Sequence, residues 1–481
     1  MSDRRQPYAS ERIPNRPTAA SSASGSPGVE MAIEDLETRK LVTDRSADET
    51  VLIERTPEQA TEPAETLDSV RAPAIDSTTS VDERGVSVSV GSQSRFDPLT
   101  GRWVVFAPDR LKRPNDFSDH RDVFSKSTGC PFCGGHEAAT PPALLVVPEP
   151  LSDDTGDGAA DAALTQAVAD SQSLYASEGD ANPARSMCAE SIRDVDGLRD
   201  WSVRVVPNKF PAVSRLDRSD SGPRKSKSFP KSSVLKSVSV DGGHEVIVES
   251  PRHIESLSEL DEEHAGHVFL AFKQRLLAWR SRPSVRYISV FKNVGRHAGA
   301  SLHHAHSQLI ALDRLPADVE QTLWRKSAHH AKHGSCLQCD LLRQELKAGQ
   351  RIIVKKDDLV AFCPFASAFA MSVRITTLRH SDCFENLDDV VIRRIAKMTR
   401  RVTAWLEKMR PGVAYNYVLQ TRPPNWKGSE DSFHWTLDVI PRISHIAGFE
   451  LSCGTMLNSV LPEKAAASYR QVASRESLRS F

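Results

Sequence analysis

One pattern occurs twice in this chain, and any fold has to accommodate both copies. The stretches "EVIVESPRHIESLSELDEE" (245–263) and "MSVRITTLRHSDCFENLDD" (371–389) each give a β-branched strand that ends in Arg-His and leads into a helix. The first helix carries Ala265, Val268, Phe272, Leu276 and Trp279 on one face. The second repeats the device with Val391, Ile395, Met398, Val402, Trp405 and Met409. Each helix is followed by a tyrosine-bearing strand, "RYISVFKN" and "AYNYVLQT", and then by a histidine-bearing one, "HAHSQLIAL" and "FHWTLDVIP". His253 precedes His304 by 51 positions and His380 precedes His434 by 54. A Cys-x-x-Cys pair stands ahead of each copy, at Cys130 and Cys133 and again at Cys336 and Cys339. Self-similarity at this level predicts a duplicated α+β unit, each half an antiparallel sheet with a packed helix.

Zinc in a structural site takes four ligands in a tetrahedron, commonly two thiolates from one turn and two imidazoles from elsewhere. The recurrence supplies that set twice: Cys130, Cys133, His253 and His304, then Cys336, Cys339, His380 and His434. A single histidine at a strand end is usually an ordinary surface or core residue, but eight candidate ligands in register are harder to explain that way. His136, just past the first turn, reads as a solvent-facing loop histidine. A thioredoxin-like role needs a pair that opens a helix after a strand, whereas Pro131, Gly134 and Gly135 predict a knuckle. The remaining cysteines, at 188, 363, 383 and 453, read as small buried hydrophobes.

In "SLHHAHSQLIAL" (301–312), residues two apart on a strand share a face, so His304 and His306 point one way and His303 the other. A metal-anchored imidazole then fixes the backbone that presents His306. The second copy has Thr436 at the matching place, so one half alone can carry imidazole chemistry. A neutral imidazole attacks phosphorus readily and leaves again from the phosphoramidate, which suits nucleotidyl transfer. Gln308, again two residues on, can donate an amide N–H to a phosphate oxygen. Arg110 and Arg113 in "DRLKRP" offer planar donor forks for phosphate, and as a basic surface loop they would be equally ordinary.

Composition bounds the rest. The first 94 residues are Ser-, Asp-, Glu- and Pro-rich without Trp or Phe, and predict a disordered tail. Residues 151–195 and 216–238 read as insertions, giving an N-terminal half over 95–320 and a C-terminal half over 321–481. A net charge of −1 argues against a nucleic-acid binder. The absence of a stretch of about 20 apolar residues argues against a membrane span, and the absence of an apolar leader points to the cytoplasm.

The stretches "DPLTGRWVVFAPDRLKRP", "CPFCGGHE", "VRVVPNKFPAV", "HEVIVESPRH", "FKNVG", "HAHSQ" and "AGFELSCG" together resemble the galactose-1-phosphate uridylyltransferase family of the histidine-triad superfamily, from about Phe96 to Tyr469. The resemblance implies two tandem histidine-triad-like halves and a covalent nucleotidyl-histidine on His306. It implies ping-pong transfer from a nucleotide sugar to a sugar 1-phosphate, here UDP-glucose to galactose 1-phosphate. It also implies one Zn²⁺ per half, a homodimer, and contacts through Arg110, Arg113, Asn208, Asn293, Ser301 and Gln308, with Gly448, Phe449 and Glu450 at the sugar end. Ala305 and Ser307 replace the family's proline and glycine and move the motif toward the plant-like branch, which includes ADP-glucose phosphorylases acting with inorganic phosphate. Rival readings are hydrolysis of nucleotidyl conjugates and a zinc-stabilised nucleotide-binding protein without catalysis.

Overall fold

The computed structural model describes residues 79–81, 87–89, 92–112, 129–149, 201–213, 240–444 and 446–477. Arg113, both expected insertions and most of the expected N-terminal tail lie outside the described residues. Within the tail, β1 (Thr79–Val81) and β2 (Ser87–Ser89) pair antiparallel.

The structure is a mixed α+β fold built on one large antiparallel sheet. A small sheet comes first, from β3 (Gln93–Asp97) and β4 (Arg102–Phe106), antiparallel to each other. The large sheet then takes β5 (Leu145–Pro148), β6 (Trp201–Pro207), β7 (Gly242–Val248), β8 (Tyr287–Val294) and β9 (His306–Leu312). It continues with β10 (Ile352–Lys356), β11 (Leu359–Phe362), β12 (Val373–Thr377), β13 (Tyr415–Gln420) and β14 (Thr436–Pro441). The strand order is β10-β11-β12-β14-β13-β8-β9-β7-β6-β5, every neighbour antiparallel. That order maps onto itself from the opposite edge when β5 to β9 are matched with β10, β11, β12, β13 and β14 in turn. The centre is the β8–β13 pairing, where Asn416 lies opposite Asn293.

Between β7 and β8 runs α1 (Glu262–Arg280), and between β12 and β13 runs α4 (Asp389–Met409), on the same face of the sheet and against each other. The helices α2 (Ala317–His333) and α3 (Leu337–Ala348) lie between β9 and β10. Asp261 caps α1 by accepting from the His264 amide at 2.7 Å. With the sheet on one side and α4 on the other, α1 buries residues all round, His264, Val268, Phe269, Phe272, Leu276 and Trp279 among them. The helix α4 buries a single stripe through Ile392, Ile395, Val402 and Leu406. Gly243 allows α1 to come this close, since a Cβ there would lie 2.2 Å from the Trp279 ring. Glu245 accepts from Arg275 at 2.8 and 2.7 Å and from the Trp279 indole at 2.8 Å, locking β7 to α1.

The small sheet is completed by β15 (Met456–Asn458), parallel to β4 and preceded by α5 (Gly448–Cys453). It packs Val104, Phe106 and Met456 over Ala366, Ala368 and Phe369 beside β12. The last helix, α6 (Pro462–Ser477), rests on α4 and β10. No helix among the described residues is long and apolar enough to cross a membrane.

Two local expectations change. The histidine strands start at His306 and Thr436 rather than two residues earlier, because Ala305 donates instead to the Ile254 carbonyl at 2.6 Å, taking His304 off the ladder. The second Cys-x-x-Cys opens a helix: Cys336 is the N-cap of α3, whose hydrophobic residues start directly after it, although a helix and not a strand precedes it.

Candidate active site and metal centres

Cys130 and Cys133 sit in the turn ahead of β5, pinned by the Gly134 amide donating to the Pro251 carbonyl at 2.9 Å. Cys130, Cys133, His253 and His304 bring their ligand atoms within 4.8 Å of one another. His304 Nδ1 lies 3.5 Å from each sulfur and His253 Nδ1 3.4 Å from Cys133 Sγ. A tetrahedral centre with metal–sulfur bonds of about 2.3 Å and metal–nitrogen bonds of about 2.0 Å separates S and N by about 3.5 Å, so the four fit a zinc ion. The tautomer also fits. His304 Nε2 stands 2.8 Å from the Ser250 carbonyl, which can only accept, so Nε2 carries the hydrogen and Nδ1 turns its lone pair to the sulfurs. Burial lowers the His304 pKa to about 4, which favours this neutral ligand form. His136 is exposed and its Nδ1 donates to the Cys130 carbonyl at 2.6 Å, closing the turn.

The other expected set is brought together with a difference. Cys336, Cys339 and His380 form the mutually close group, and His434 Nδ1 joins through Cys339 at 3.3 Å, the distance His380 Nδ1 also keeps. Thr376 spends its hydroxyl hydrogen on the Trp435 carbonyl, so its oxygen accepts from His434 Nε2 at 3.2 Å. The His434 lone pair therefore also faces sulfur. A hydrogen bond from Cys339, helped by His380, pulls the Cys336 thiol down to about 4, and burial lowers His434 to about 3. Both clusters have the chemistry to bind a metal.

His306 is 6% exposed and lies against the Phe132 ring at 5.3 Å between centroids; Phe132 stands between the two cysteines of the first turn. Its Nδ1 is 2.8 Å from the His304 carbonyl. A carbonyl only accepts, so Nδ1 carries the hydrogen and Nε2 keeps a lone pair with no hydrogen-bond partner among the described residues. Burial lowers the His306 pKa, so the ring is neutral at neutral pH. Beneath it, on the core side, Lys292 and Glu249 form a fully buried ion pair at 2.5 Å, and Ser307 donates to Glu249 at 2.6 Å. His303 turns instead to Glu255 at 3.2 Å.

Gln308 shares the His306 face, and the sequence reading missed the residue that orients it. The Ala212 amide donates to His244 Nδ1 at 3.1 Å, so the hydrogen of His244 is on Nε2, and it goes to Gln308 Oε1 at 2.8 Å. That holds the Gln308 NH₂ away from His244, free to donate elsewhere. The signal was the alternation of β7, where His244, Val246 and Val248 share the face opposite Ile310, Gln308 and His306. Asn208 lies beside His244 with its own Oδ1 accepting from Phe210 N, and Asn293 follows next in register to His306, held by Asn416 at 2.8 Å. Ser301 is exposed in the loop between Gly299, at φ +89°, and β9.

Arg110, Gly448, Phe449 and Glu450 belong elsewhere. Arg110 is exposed on the turn after β4, and the other three are on α5, where Glu450 accepts from the Ala447 amide at 3.1 Å. Both groups stand on the small sheet, which caps β12 and β14, and no hydrogen bond or ion pair among the described residues joins them to the strand of His306. Between the cap and those strands lies a cavity of about 680 Å³ over Thr436.

Residues 211–479 match a protein family described as a domain of unknown function (DUF4921). The chain is 30% identical over 391 residues to ADP-glucose phosphorylase of Arabidopsis thaliana, spanning 80% of this chain and 95% of that protein. It is 23% identical over 358 residues to galactose-1-phosphate uridylyltransferase of Saccharomyces cerevisiae, spanning 72% and 82%. The crystal structure of the Arabidopsis ADP-glucose phosphorylase with bound ADP-glucose superposes with a TM-score of 0.60 at 28% identity, covering 79% of this chain and 99% of that one.

Proposed function

The chain belongs to the galactose-1-phosphate uridylyltransferase family, in which ADP-glucose phosphorylase also falls, and from that premise we propose that it moves a nucleotidyl group from a nucleotide sugar through His306. The observation that carries this reading is the free Nε2 lone pair of a ring whose other nitrogen is committed to the His304 carbonyl. Nε2 attacks the α-phosphorus, the bond to the bridging oxygen breaks, and the sugar 1-phosphate leaves with the electron pair. An oxygen of the acceptor then attacks the phosphoramidate and returns the pair to Nε2. Gln308, oriented by His244, offers its NH₂ to the phosphoryl oxygens as they gain charge, and Asn293 and Asn208 line the same face.

For the donor we propose ADP-glucose with inorganic phosphate as acceptor, supported by 30% identity over nearly the whole Arabidopsis phosphorylase. Transfer from UDP-glucose to galactose 1-phosphate is the second reading, supported by the yeast relative. We also propose two tandem histidine-triad-like halves, 95–320 and 321–481, supported by the self-matching strand order. Each half would hold one zinc ion. Such an ion supplies structural cross-linking, and in the first half it fixes the residue from which His306 takes its tautomer.

The family's sugar-end contacts, Gly448, Phe449 and Glu450, and its phosphate contact Arg110 stand on the cap. A homodimer in which the cap of one copy meets His306 of the other would unite them. Incubation with ADP-glucose and UDP-glucose labelled at the α-phosphorus tests the chemistry: acid-labile, base-stable protein label from ADP-glucose is expected, absent in His306→Gly. Label from UDP-glucose alone selects the second reading, and label from neither overturns the transferase. Mixing inactive His306→Gly with inactive Arg110→Ala tests the dimer, since only a shared site regains activity.

A further inference from the structure

The cavity under the cap takes no part in the reaction above, yet the strand register places it at the counterpart of the His306 site. Thr436 opens β14 as His306 opens β9. Gln420 pairs with Thr436 where Asn293 stands next in register to His306. Gln338 occupies, between Cys336 and Cys339, the place Phe132 holds between Cys130 and Cys133. At the first site that pair is an aromatic ring against the nucleophile. At the second it is an amide and a hydroxyl, and both Gln338 Oε1 and Thr436 Oγ1 are buried, without a hydrogen-bond partner, and line the cavity. Two orphaned oxygens opening into one space of about 680 Å³ call for a ligand that supplies hydrogens, and the volume lies in the range of small-molecule sites, about 300–1,000 Å³.

The remaining lining defines the class. Its guanidinium groups are already paired, Arg374 with Asp438 at 2.6 and 2.9 Å, Arg351 with Glu345 and Glu463 at 2.6 and 2.7 Å, and at the exposed rim Arg102 with Asp318 at 2.8 Å, so the buried ones offer a phosphate little. The sheet wall is mixed, with Thr436, Asp438 and Gln420 set among Val373 and Ile440. The cap and the loop beside it are apolar, through Phe96, Leu99 and Phe369. A nucleobase buries both faces between apolar walls and shows polar atoms only at its edge, whereas here Thr436, Asp438 and Gln420 interrupt the face of one wall. We infer that this cavity is a second, non-catalytic site for an uncharged polyhydroxylated ring, a free hexose, whose hydroxyls donate to Gln338 and Asp438 while its C–H face meets the apolar wall.

The test uses the full-length, metal-loaded protein, with saturation-transfer NMR and calorimetry against glucose, galactose, glucose 1-phosphate, adenosine and uridine. A free hexose should bind saturably with Kd of about 1 mM or tighter. It should bind about tenfold better than its 1-phosphate, and equally well to His306→Gly. Gln338→Leu and Thr436→Val should each weaken it about tenfold with metal content unchanged. If one variant fails to fold, the other and the wild-type titrations still decide. Absence of hexose binding, preference for a nucleoside or the sugar phosphate, dependence on His306, or indifference to both cavity substitutions would each overturn the site.

Discussion

The same face of one sheet is finished in two ways. Around His306 the strand presents an imidazole with a free lone pair, an oriented amide and two asparagines, with no cap strand over it among the described residues. Around Thr436 the matching strand lies under the small sheet, and its Asp438 is tied to Arg374 where the first strand has Gln308. Each end also has its own Cys/His cluster. Placing a Cys/His cluster beside a strand and presenting an imidazole from it are therefore separable properties, because both ends have the cluster and one alone has the imidazole.

The largest effects should come from the clusters themselves. Cys130→Ser and Cys339→Ser should each lower the bound zinc from two equivalents to one, measured by atomic absorption on the purified protein. Structural zinc sites contribute about 10 kcal/mol or more of apparent free energy to folding, so each variant should also lose a large share of its thermal stability. The comparison sharpens if Cys339→Ser retains nucleotidyl label on His306 while Cys130→Ser loses it, and it breaks if both lose label equally.

Next comes His306→Gly. Removing a covalent nucleophile should cut turnover about 10⁴-fold or more while leaving zinc and melting temperature close to those of the parent. The reverse graft, Thr436→His, should create no second labelling site, because its neighbour at position 438 is a paired carboxylate rather than an amide donor. Label on the imidazole introduced by that substitution would show that the two ends differ by one side chain alone.

Much of this was legible in the sequence because it depends on spacing. The helix faces of α1 and α4 and the gathering of two Cys/His clusters follow from a period of 3.6 and from recurrence, whereas the strand period expected to align His304 with His306 begins only at His306. The role of His244 was not legible, because it depends on Ala212 donating to one particular ring nitrogen across a turn. Nor was the separation of Arg110 and α5 from His306, which is set by the parallel pairing of β15 with β4, hundreds of residues apart. Local pattern specifies elements, while a long-range pairing decides which end of the sheet a cap covers.

A smaller effect tests the support under His306. Lys292 and Glu249 are fully buried against each other, so Lys292→Met strands a carboxylate and should cost about 3–5 kcal/mol by denaturant titration. At the other end Arg374 and Asp438 are nearer the cavity, with side chains 19% and 13% exposed, and Arg374→Met should cost less. Equal losses would mean that the cavity is as dry as the core.

The smallest effects are two hydroxyl deletions of opposite sign. Ser307 donates to Glu249 and meets the Tyr417 hydroxyl at 3.0 Å, so Ser307→Ala removes a bond to a buried charge and should cost about 1–3 kcal/mol. Thr436 sits at the start of the matching strand with its hydroxyl unpartnered, and Thr436→Val keeps the shape while removing an unmet polar group. Without ligand that change should be neutral or stabilising by up to about 1 kcal/mol. The difference in sign follows because one oxygen completes a network closed by protein and the other faces a space the protein leaves unfilled. Equal destabilisation by both substitutions would show that Thr436 has a partner after all and that its end of the sheet is as closed as the layer beneath His306.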